Sequence, residues 1–418
     1  MRGSFGACAV AFSLLAGCRF HAPAPPTPRQ PVPTVAPVTA DFPLTKATRT
    51  EPDLRALAKT PVRQTGASED ASYRRLTEPV CQALAAKHAA LADALDDEGR
   101  VPPKCESPAD ALKQAVRFHA ALELRNRAAA DALDRFFQLA NAEANTDFLR
   151  DAFPVLDDLI ATAKAARAAD VRFPLDPADL ERQRSQTRTQ LEQAETGSDL
   201  LNIDLKRRLG LPPAGERLWP SGEFGIGTEV VDANTAVNAA LADRPELRGL
   251  RAVHANLSLD TLAVAREALR AGNPLLGAGA FPVRSGLARF VQNHRGPDPD
   301  DVAEVAVRRK QLADLIAARE RDIADEARAA VVSLNAQTRR VQLARDRLDA
   351  RTAQRADAAK KREANQPGAE LLEAQVALDW LKARAEVVDE VMAWHQARVR
   401  LKAAQGWLAW ECLGDPKR

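Results

Sequence analysis

The sequence contains few of the features that mark an enzyme or a nucleic-acid-binding protein. Its 418 residues carry 59 basic and 57 acidic side chains, so no excess positive charge is left to neutralise phosphates. The six histidines occur in no spacing typical of metal ligands. Residues 222–227 are rich in glycine but lack the lysine of a phosphate-binding loop and the dinucleotide fingerprint. We therefore expect no catalytic residue, no metal, no cofactor and no nucleic-acid partner.

Long hydrophobic runs are scarce as well, and aromatic residues make up only 5% of the chain. The apolar run at residues 7–16 is too short for a membrane-spanning helix, which needs about twenty residues. With Arg2 before it, this run suits the hydrophobic region of a signal peptide. No other run is long enough to span a bilayer as a helix. Residues 1–17 are therefore predicted to be a signal peptide.

The predicted signal ends in Leu15-Ala16-Gly17-Cys18, which resembles the lipobox of bacterial lipoproteins. In that family the signal is cut before the cysteine, and its thiol and new amino terminus are acylated. The resemblance implies that Cys18 carries the lipid that holds the protein on a membrane. The alternative is a soluble secreted protein whose signal happens to contain a cysteine. Residues 18–75 begin with a segment that holds eight prolines and are predicted to form a semi-stiff tether.

Three cysteines remain once Cys8 is removed with the signal and Cys18 is acylated. Cys81 and Cys105 flank residues 98–103, which are predicted to form a short hairpin. In an oxidising compartment a disulfide between these two residues could staple the hairpin. In the alternatives, Cys412 pairs with one of the other two and ties the C-terminus to the first helix, or it stays buried and free.

From about residue 76 onward the pattern is helical. The predicted helices span 76–97, 108–168 with a kink or break at Pro154, 177–209, 234–271, 299–364 and 368–410. Ser107-Pro108 and Asp176-Pro177 each combine a capping side chain with proline at the first helical position. Gly210 and Pro367-Gly368 are typical helix ends.

The helix predicted after Asp301 has the spacing of a coiled coil. Its apolar residues recur at seven-residue steps: Ile316, Ile323 and Ala330, then Leu334, Val341 and Leu348. Trp380 and Trp394 lie two heptads apart and are predicted to share one buried face. The predicted fold is mainly α, with long antiparallel helical hairpins forming an elongated coiled-coil bundle. At most a short strand region is expected near residues 273–298.

A weak internal repeat relates residues 179–211 to residues 371–408. Each begins after a proline break, carries Leu-Glu-x-Gln near its start and ends at a glycine, Gly210 or Gly406. The chain is therefore predicted to hold two pseudo-repeats, residues 76–230 and residues 231–418.

Four segments in this order resemble the outer-membrane efflux factors of the TolC type. They are residues 205–213 (LKRRLGLPP), 240–251 (ALADRPELRGLR), 368–375 (GAELLEAQ) and 401–406 (LKAAQG). The resemblance implies a homotrimer in which the helices build a periplasmic tunnel, topped by a barrel with four strands from each protomer. The chain departs from this pattern, since residues 98–107 offer only ten positions for the first strand pair. The second pair has only two short candidates, residues 275–281 and 287–291, so a helical duct without its own membrane pore is one interpretation.

The resemblance also implies a function: a passive conduit at the outer membrane, largely periplasmic, that works with a periplasmic adaptor and an inner-membrane transporter. Charged rings at helix turns would set its selectivity. The candidates for this constriction are Arg172 and Asp176 at one turn and Glu363 and Glu370 at the other. The alternative function is that of a lipid-anchored structural coiled-coil protein of the envelope, without a channel.

Overall fold

The computed structural model describes residues 46–47, 73–100, 107–170, 175–222, 224–227, 229–273, 276, 299–366 and 368–413. Within these residues there are ten helices and three short strands. The strands are β1 (Lys46–Ala47), β2 (Tyr73–Leu76) and β3 (Arg217–Pro220). The helices are α1 (Glu78–Lys87), α2 (Ala90–Arg100), α3 (Pro108–Ala168), α4 (Pro177–Arg208), α5 (Ala233–Asp243), α6 (Pro245–Ala255), α7 (Leu262–Gly272), α8 (Pro299–Glu363), α9 (Ala369–Ala404) and α10 (Trp407–Leu413).

The mainly helical fold class is confirmed, and the four long helices begin and end within one residue of the predicted bounds, apart from the end of α9. Helix α3 runs through Pro154 without a break. Helix α4 starts as predicted, because the Asp176 carboxylate accepts a hydrogen bond from the Ala178 N–H at 3.0 Å and Pro177 opens the first turn.

Three predicted helices were too long. The helix predicted at 76–97 is two helices, α1 and α2, which belong to different compact units of the chain, and Leu76 lies in β2. The helix predicted at 234–271 is three, because Pro245 starts a new helix and the Thr261 hydroxyl donates to the Asn256 carbonyl in a turn. The helix predicted at 368–410 stops at α9, since Gly406 adopts a left-handed conformation with φ of 75°.

The strands lie outside the region where strands were predicted. Strand β2 pairs with β1 in antiparallel and with β3 in parallel orientation, so that Tyr73 lies opposite Arg217 and Leu76 opposite Pro220. The side chain of Asn202 in α4 completes the edge of β3: its amide donates to the Leu218 carbonyl at 2.8 Å, and its oxygen accepts from the Leu218 N–H at 3.2 Å. The candidate strands at 275–281 and 287–291 fall outside the described residues, apart from Leu276. Residues 98–100 of the predicted short hairpin are helical.

The described residues divide into two compact units. In the first, residues 90–124 and 237–326, a small apolar core includes Leu112, Leu269 and Leu312. This unit contains the family-like segment 240–251, in which the buried Arg244 forms an ion pair with Glu246 at 2.5 Å. Burial alone would raise the pKa of Glu246, but the hydrogen bond and charge of Arg244 lower it to about 2.

The second unit, residues 46–89, 125–236 and 327–413 within the described ranges, holds the larger core. Its centre is aromatic, with Phe136, Phe137 and Phe224 packed around each other. The unit contains two antiparallel hairpins. We call α3–α4 (from residue 125) the first hairpin and α8–α9 (from residue 327) the second hairpin. Both hairpins belong to the second unit, and they contact each other at their tips.

Candidate functional site

The tip of the first hairpin is a sharp chain reversal between α3 and α4. Helix α3 ends at Ala168, and Asp170 just after it has a φ of 54° and donates its N–H to the Arg167 carbonyl at 3.2 Å. Aspartate tolerates this left-handed conformation better than most residues. Asp176 then caps α4 and lies 3.9 Å from the Arg167 guanidinium. The predicted constriction residue Asp176 is therefore engaged in starting the helix.

The tip of the second hairpin uses the same device. Asn365 adopts a φ of 50° after α8, and its N–H donates to the Arg362 carbonyl at 2.9 Å. The next N–H, of Gln366, donates to the Lys361 carbonyl at 3.0 Å, which completes a Schellman motif. Gly368, with a φ of 78°, leads directly into α9. In each hairpin, an Asp or Asn in the left-handed conformation thus follows the end of the first helix.

An apolar cluster holds the two tips together. Its buried members are Leu159, Ile160 and Ala163 of α3 and Leu180 of α4. Three residues of α9 pack against them: Leu371, Ala374 and Leu378. The first turns of α9 therefore rest on the first hairpin, and both tips lie on one surface.

Charged side chains surround this cluster in close pairs. In the first hairpin, Lys164 lies 2.7 Å from Glu181. In the second, Arg362 lies 2.6 Å from Glu373. The pKa of Arg362 is raised, first by its hydrogen bond to Glu373 and further by the charges of Glu373, Glu370 and Asp158. The surface around the tips therefore carries positive and negative side chains close to each other.

Two of the four predicted constriction residues lie exposed at the second tip. Glu363 is the last residue of α8, and Glu370 is in the first turn of α9. A carboxylate in the first turn is favoured by the helix dipole. The charge of Glu370 contributes to the raised pKa of Arg362. Arg172 lies outside the described residues, and its role stays a prediction.

Away from the tips, an open groove of about 460 Å³ follows the second hairpin between α8 and α9. Charged residues line most of it: Arg347, Arg351, Asp379, Lys382 and Glu386. Arg347 pairs with Glu386, and Arg351 lies 3.6 Å from Asp379. The groove is thus lined by paired charged side chains along the side of the second hairpin.

Solved structures with a similar fold include outer-membrane channels. The outer-membrane channel OprN matches with a TM-score of 0.52 at 13% identity, over 79% of this chain and 90% of that chain. The CmeC outer membrane channel of Campylobacter jejuni matches with a TM-score of 0.52 at 11% identity, over 79% and 85%. A membrane protein from Pseudomonas aeruginosa matches with a TM-score of 0.51 at 12% identity, over 83% and 97%.

The chain has the TolC-type fold. At these identities the likeness concerns the fold alone. No family model matches the sequence, and no curated protein matches it either.

Only two of the cysteines predicted for lipidation and cross-linking lie within the described residues. Cys18 and Cys105 lie outside the described residues, so the lipid anchor and the disulfide stay predictions. Cys81 is fully buried, and its thiol donates to the Ala132 carbonyl at 3.7 Å. Burial raises the pKa of Cys81 well above its usual range. Cys412 is half-buried, and burial raises its pKa to about 11. The raised pKa values keep both thiols protonated near neutral pH.

Sequence reasoning missed the buried position of His395 in α9. Its imidazole stacks on Phe137 with 4.8 Å between ring centroids and meets Phe224 and Trp394 edge-on. Burial, and then the nearby charge of Arg398, lower its pKa to about 3. Nothing in the sequence around His395 signals this, because Phe137 and Phe224 come from distant segments.

The shared face of the two tryptophans is confirmed by their partners. The indole N–H of Trp394 donates to the Thr338 hydroxyl at 3.0 Å, and that of Trp380 donates to the Thr352 hydroxyl at 3.1 Å. The two threonines are also two heptads apart, on α8. The pairs therefore fix the antiparallel register of the second hairpin.

Across the described ranges, no helix combines the length and the apolar character that a membrane span needs. The same residues contain no group of three or more His, Cys, Asp or Glu side chains placed to hold a metal ion.

Proposed function

We propose that this protein is the protomer of a homotrimeric, passive export duct at the outer membrane. The observation that supports this most is the pair of long antiparallel hairpins, joined at their tips by one apolar cluster. Solved channels of the outer membrane share the fold. A duct of this kind needs no catalytic group, because the pump that feeds it would supply the energy.

In this proposal the lipid on Cys18 holds the protein to the outer membrane, and most of the chain lies in the periplasm. Burial of each acyl CH₂ contributes about 0.8 kcal/mol to membrane binding, and two or more chains make such an anchor stable. The Cys18→Ser variant is then expected in the soluble periplasmic fraction, while the parent chain sediments with outer membranes.

The proposed partners are a periplasmic adaptor and an inner-membrane transporter. The ionic groove between α8 and α9 is the surface we assign to the adaptor, because its exposed charges can exchange their present partners for those of a docking helix. Exposed ion pairs contribute only about 0–1 kcal/mol each, so this exchange costs little.

The proposed selectivity element is an acidic ring at the tip, to which each protomer contributes Glu363 and Glu370. Rings of carboxylates favour cations in channels. Asp176 takes part through its place in the first tip, where it fixes the start of α4. Arg172 is assigned to the same ring from the sequence.

Single-channel recording of the detergent-purified lipoprotein in planar bilayers tests the proposal. We expect discrete conductance steps, with a cation preference that falls in the Glu363→Gln and Glu370→Gln variants. Glu192→Gln is the matched control, since Glu192 is exposed on α4 far from the tip along the chain. A monomer or dimer without conductance would contradict the duct and favour the structural coiled-coil lipoprotein.

A further inference from the structure

Two carboxyl groups from different helices of the first unit meet in its interior. The side chain of Glu123 in α3 forms a hydrogen bond with the side chain of Glu246 in α6. One turn before Glu123 on α3, and one turn after Glu246 on α6, the two helices touch again. A Cβ at Gly249 would lie only 3.4 Å from the Cβ of His119. These two contacts place α3 and α6 antiparallel, with the carboxyl pair between them.

The surroundings of the pair are buried and already supply Glu246 with positive partners. Glu123 is 8% exposed. The Glu246 Oε1 atom accepts from the Arg244 guanidinium at 2.5 and 2.8 Å and from Arg319 of α8 at 3.0 Å. Its other oxygen, Oε2, is buried, and no N–H group in the described part of the chain donates to it. The donor that remains for this oxygen is the O–H of a protonated Glu123.

The chemistry of the contact requires a proton. An ionised carboxylate only accepts hydrogen bonds, so two ionised carboxylates cannot bond to each other. A carboxyl pair in one buried site therefore holds one proton, which one group donates to the other. Hydrogen bonds and positive charges favour the ionised form of the group that receives them, and Glu246 receives them from two guanidinium groups. The proton therefore stays on Glu123.

We propose that Glu123 keeps its proton at neutral pH and donates it to Glu246, so that an acid–carboxylate hydrogen bond fastens α6 to α3. We call this contact the Glu123–Glu246 lock. It lies within the first unit of one protomer and does not depend on the duct. Its chemistry makes the docking of α6 sensitive to protons, although neither residue belongs to a metal or catalytic site.

The sign of this sensitivity follows from proton binding. A glutamate in water ionises above about pH 4.3. Above that pH the closed lock holds a proton that the opened helices release. The stabilisation by the lock is therefore largest in acid, and it falls as the pH rises until the closed lock also loses its proton.

Other charged and titratable groups surround the pair on four elements. They are His119 on α3, Asp243 at the end of α5, Arg244 and Arg248 at the start of α6, and Arg319, Asp322 and Glu326 on α8. Burial, and then the charge of Arg248, lower the pKa of His119 to about 4, so its ring is neutral above that pH in the folded unit. The guanidinium groups stay charged. Each of the three other carboxylates lies within 4 Å of an arginine, which favours its ionised form.

The first test is infrared difference spectroscopy of the full chain in heavy water at about pH 7. A protonated carboxyl has a C=O stretching band that a carboxylate lacks. We expect the parent chain to show this band and Glu123→Gln to lose it. The matched control is Glu320→Gln, which removes a carboxylate of α8 that lies 2.6 Å from Arg251. This control should leave the band in place, and a parent chain without the band would overturn the proposal.

The second test is amide hydrogen exchange of α6, measured by mass spectrometry on the full chain. In Glu123→Gln the amide N–H can donate to Glu246 at every pH, so α6 is expected to stay protected. In Glu123→Ala the donor is gone, and we expect the protection of α6 to fall about tenfold near pH 5. The pair of variants separates loss of the hydrogen bond from loss of the titrating group.

The pH dependence of the same measurement tests the shared proton. From about pH 5 upward, the protection of α6 in Glu123→Gln relative to the parent chain is expected to rise by up to about tenfold per pH unit. His119 is present in both chains, so its own titration cancels from this ratio. In Glu320→Gln the corresponding ratio should stay constant.

Two results would overturn the lock. One is a ratio for Glu123→Gln that does not change with pH, and the other is a Glu123→Ala variant as well protected as Glu123→Gln. Neither result bears on the duct, which is tested separately by the mass of the assembled protein.

Discussion

The two hairpins of the second unit share a plan but differ in what they bury. The six buried residues of α4 are Leu180, Thr187, Ser198, Asn202, Leu205 and Lys206, of which four are polar or charged. Helix α9 buries fourteen residues, and all but Arg384 and His395 are apolar. Helix α4 therefore buries mainly polar side chains, whereas α9 buries mainly apolar ones.

The polar contacts of the first hairpin are mostly ion pairs with partly exposed partners. Arg150 lies 2.6 Å from Glu195, and Lys164 lies 2.7 Å from Glu181. Pairs of this kind contribute about 0–1 kcal/mol each. The second hairpin instead packs Val341 and Leu348 of α8 in its seam, both almost fully buried. Burying one such side chain stabilises by about 1.5–3 kcal/mol.

This difference bears on how much stability α4 obtains from its own hairpin. A helix that buries two leucines in 32 residues obtains little stability from its own protomer. Helix α9 is therefore the better-packed of the two helices.

The largest expected effect is the loss of a seam leucine in the second hairpin. Leu348→Ala is expected to lower the free energy of unfolding of the second unit by about 2–5 kcal/mol, because it leaves a cavity in a closed seam. Leu191→Ala, at a half-buried position of α4, is the matched variant and is expected to cost less than about 1 kcal/mol. Urea unfolding followed by circular dichroism measures both. Equal losses of unfolding free energy in the two variants would show that the first and second hairpins are packed alike.

The next effect is acid sensitivity centred on His395. Its pKa is lowered to about 3 in the folded state, while an unfolded histidine has a pKa of about 6.5. Below pH 6.5 the unfolded chain therefore binds a proton that the folded chain does not, and stability falls. From His395 alone we expect a loss of about 1.4 kcal/mol per pH unit between about 6.5 and 3, with full stability above 6.5.

The measurement is the urea midpoint as a function of pH for the parent chain and for His395→Phe. In His395→Phe, the urea midpoint is expected to lose the part of its pH dependence that comes from this histidine. The control is His254→Phe, at a half-buried position on α6 that does not belong to the aromatic cluster around Phe137. This variant should keep the full pH dependence of the urea midpoint. A parent slope unchanged by His395→Phe would show that this imidazole is not the group that titrates.

The smallest expected effect is the response to salt. At 1 M salt the screening length is about 3 Å, so partly exposed ion pairs weaken while apolar packing does not. Amide hydrogen exchange in α4 is expected to speed up several-fold, with α9 of the same molecule as internal reference. Matching changes in the two helices would mean that ion pairs do not distinguish the hairpins.

Much of the fold could be predicted because its signals are local. Caps such as Asp176-Pro177 and stops such as Gly210 act within one helical turn, and they set the ends of the long helices to within a residue or two. The seam of α8 was predictable too, since Leu334, Val341 and Leu348 follow a heptad and are all buried.

What sequence reasoning missed depends on segments far apart in the chain. Strand β3 exists because Tyr73–Leu76 lies beside it and Asn202 completes its edge, and neither partner is near in sequence. The break after Lys87 falls where the chain passes from one compact unit to the other. Of the candidate site, the tip residues Glu363 and Glu370 were placed by the helix ends alone. The effect of the Glu370 charge on the pKa of Arg362 could not be predicted from the sequence, because it depends on the folded hairpin.

The central claim is that this chain forms a duct by closing copies of itself into a ring. The most direct test is the mass of the detergent-purified, lipidated protein in solution, measured by light scattering with correction for bound detergent. The account predicts three protomers, of which each is a mature form of the 45.2 kDa chain. A mass of one or two protomers, unchanged with concentration, would contradict it.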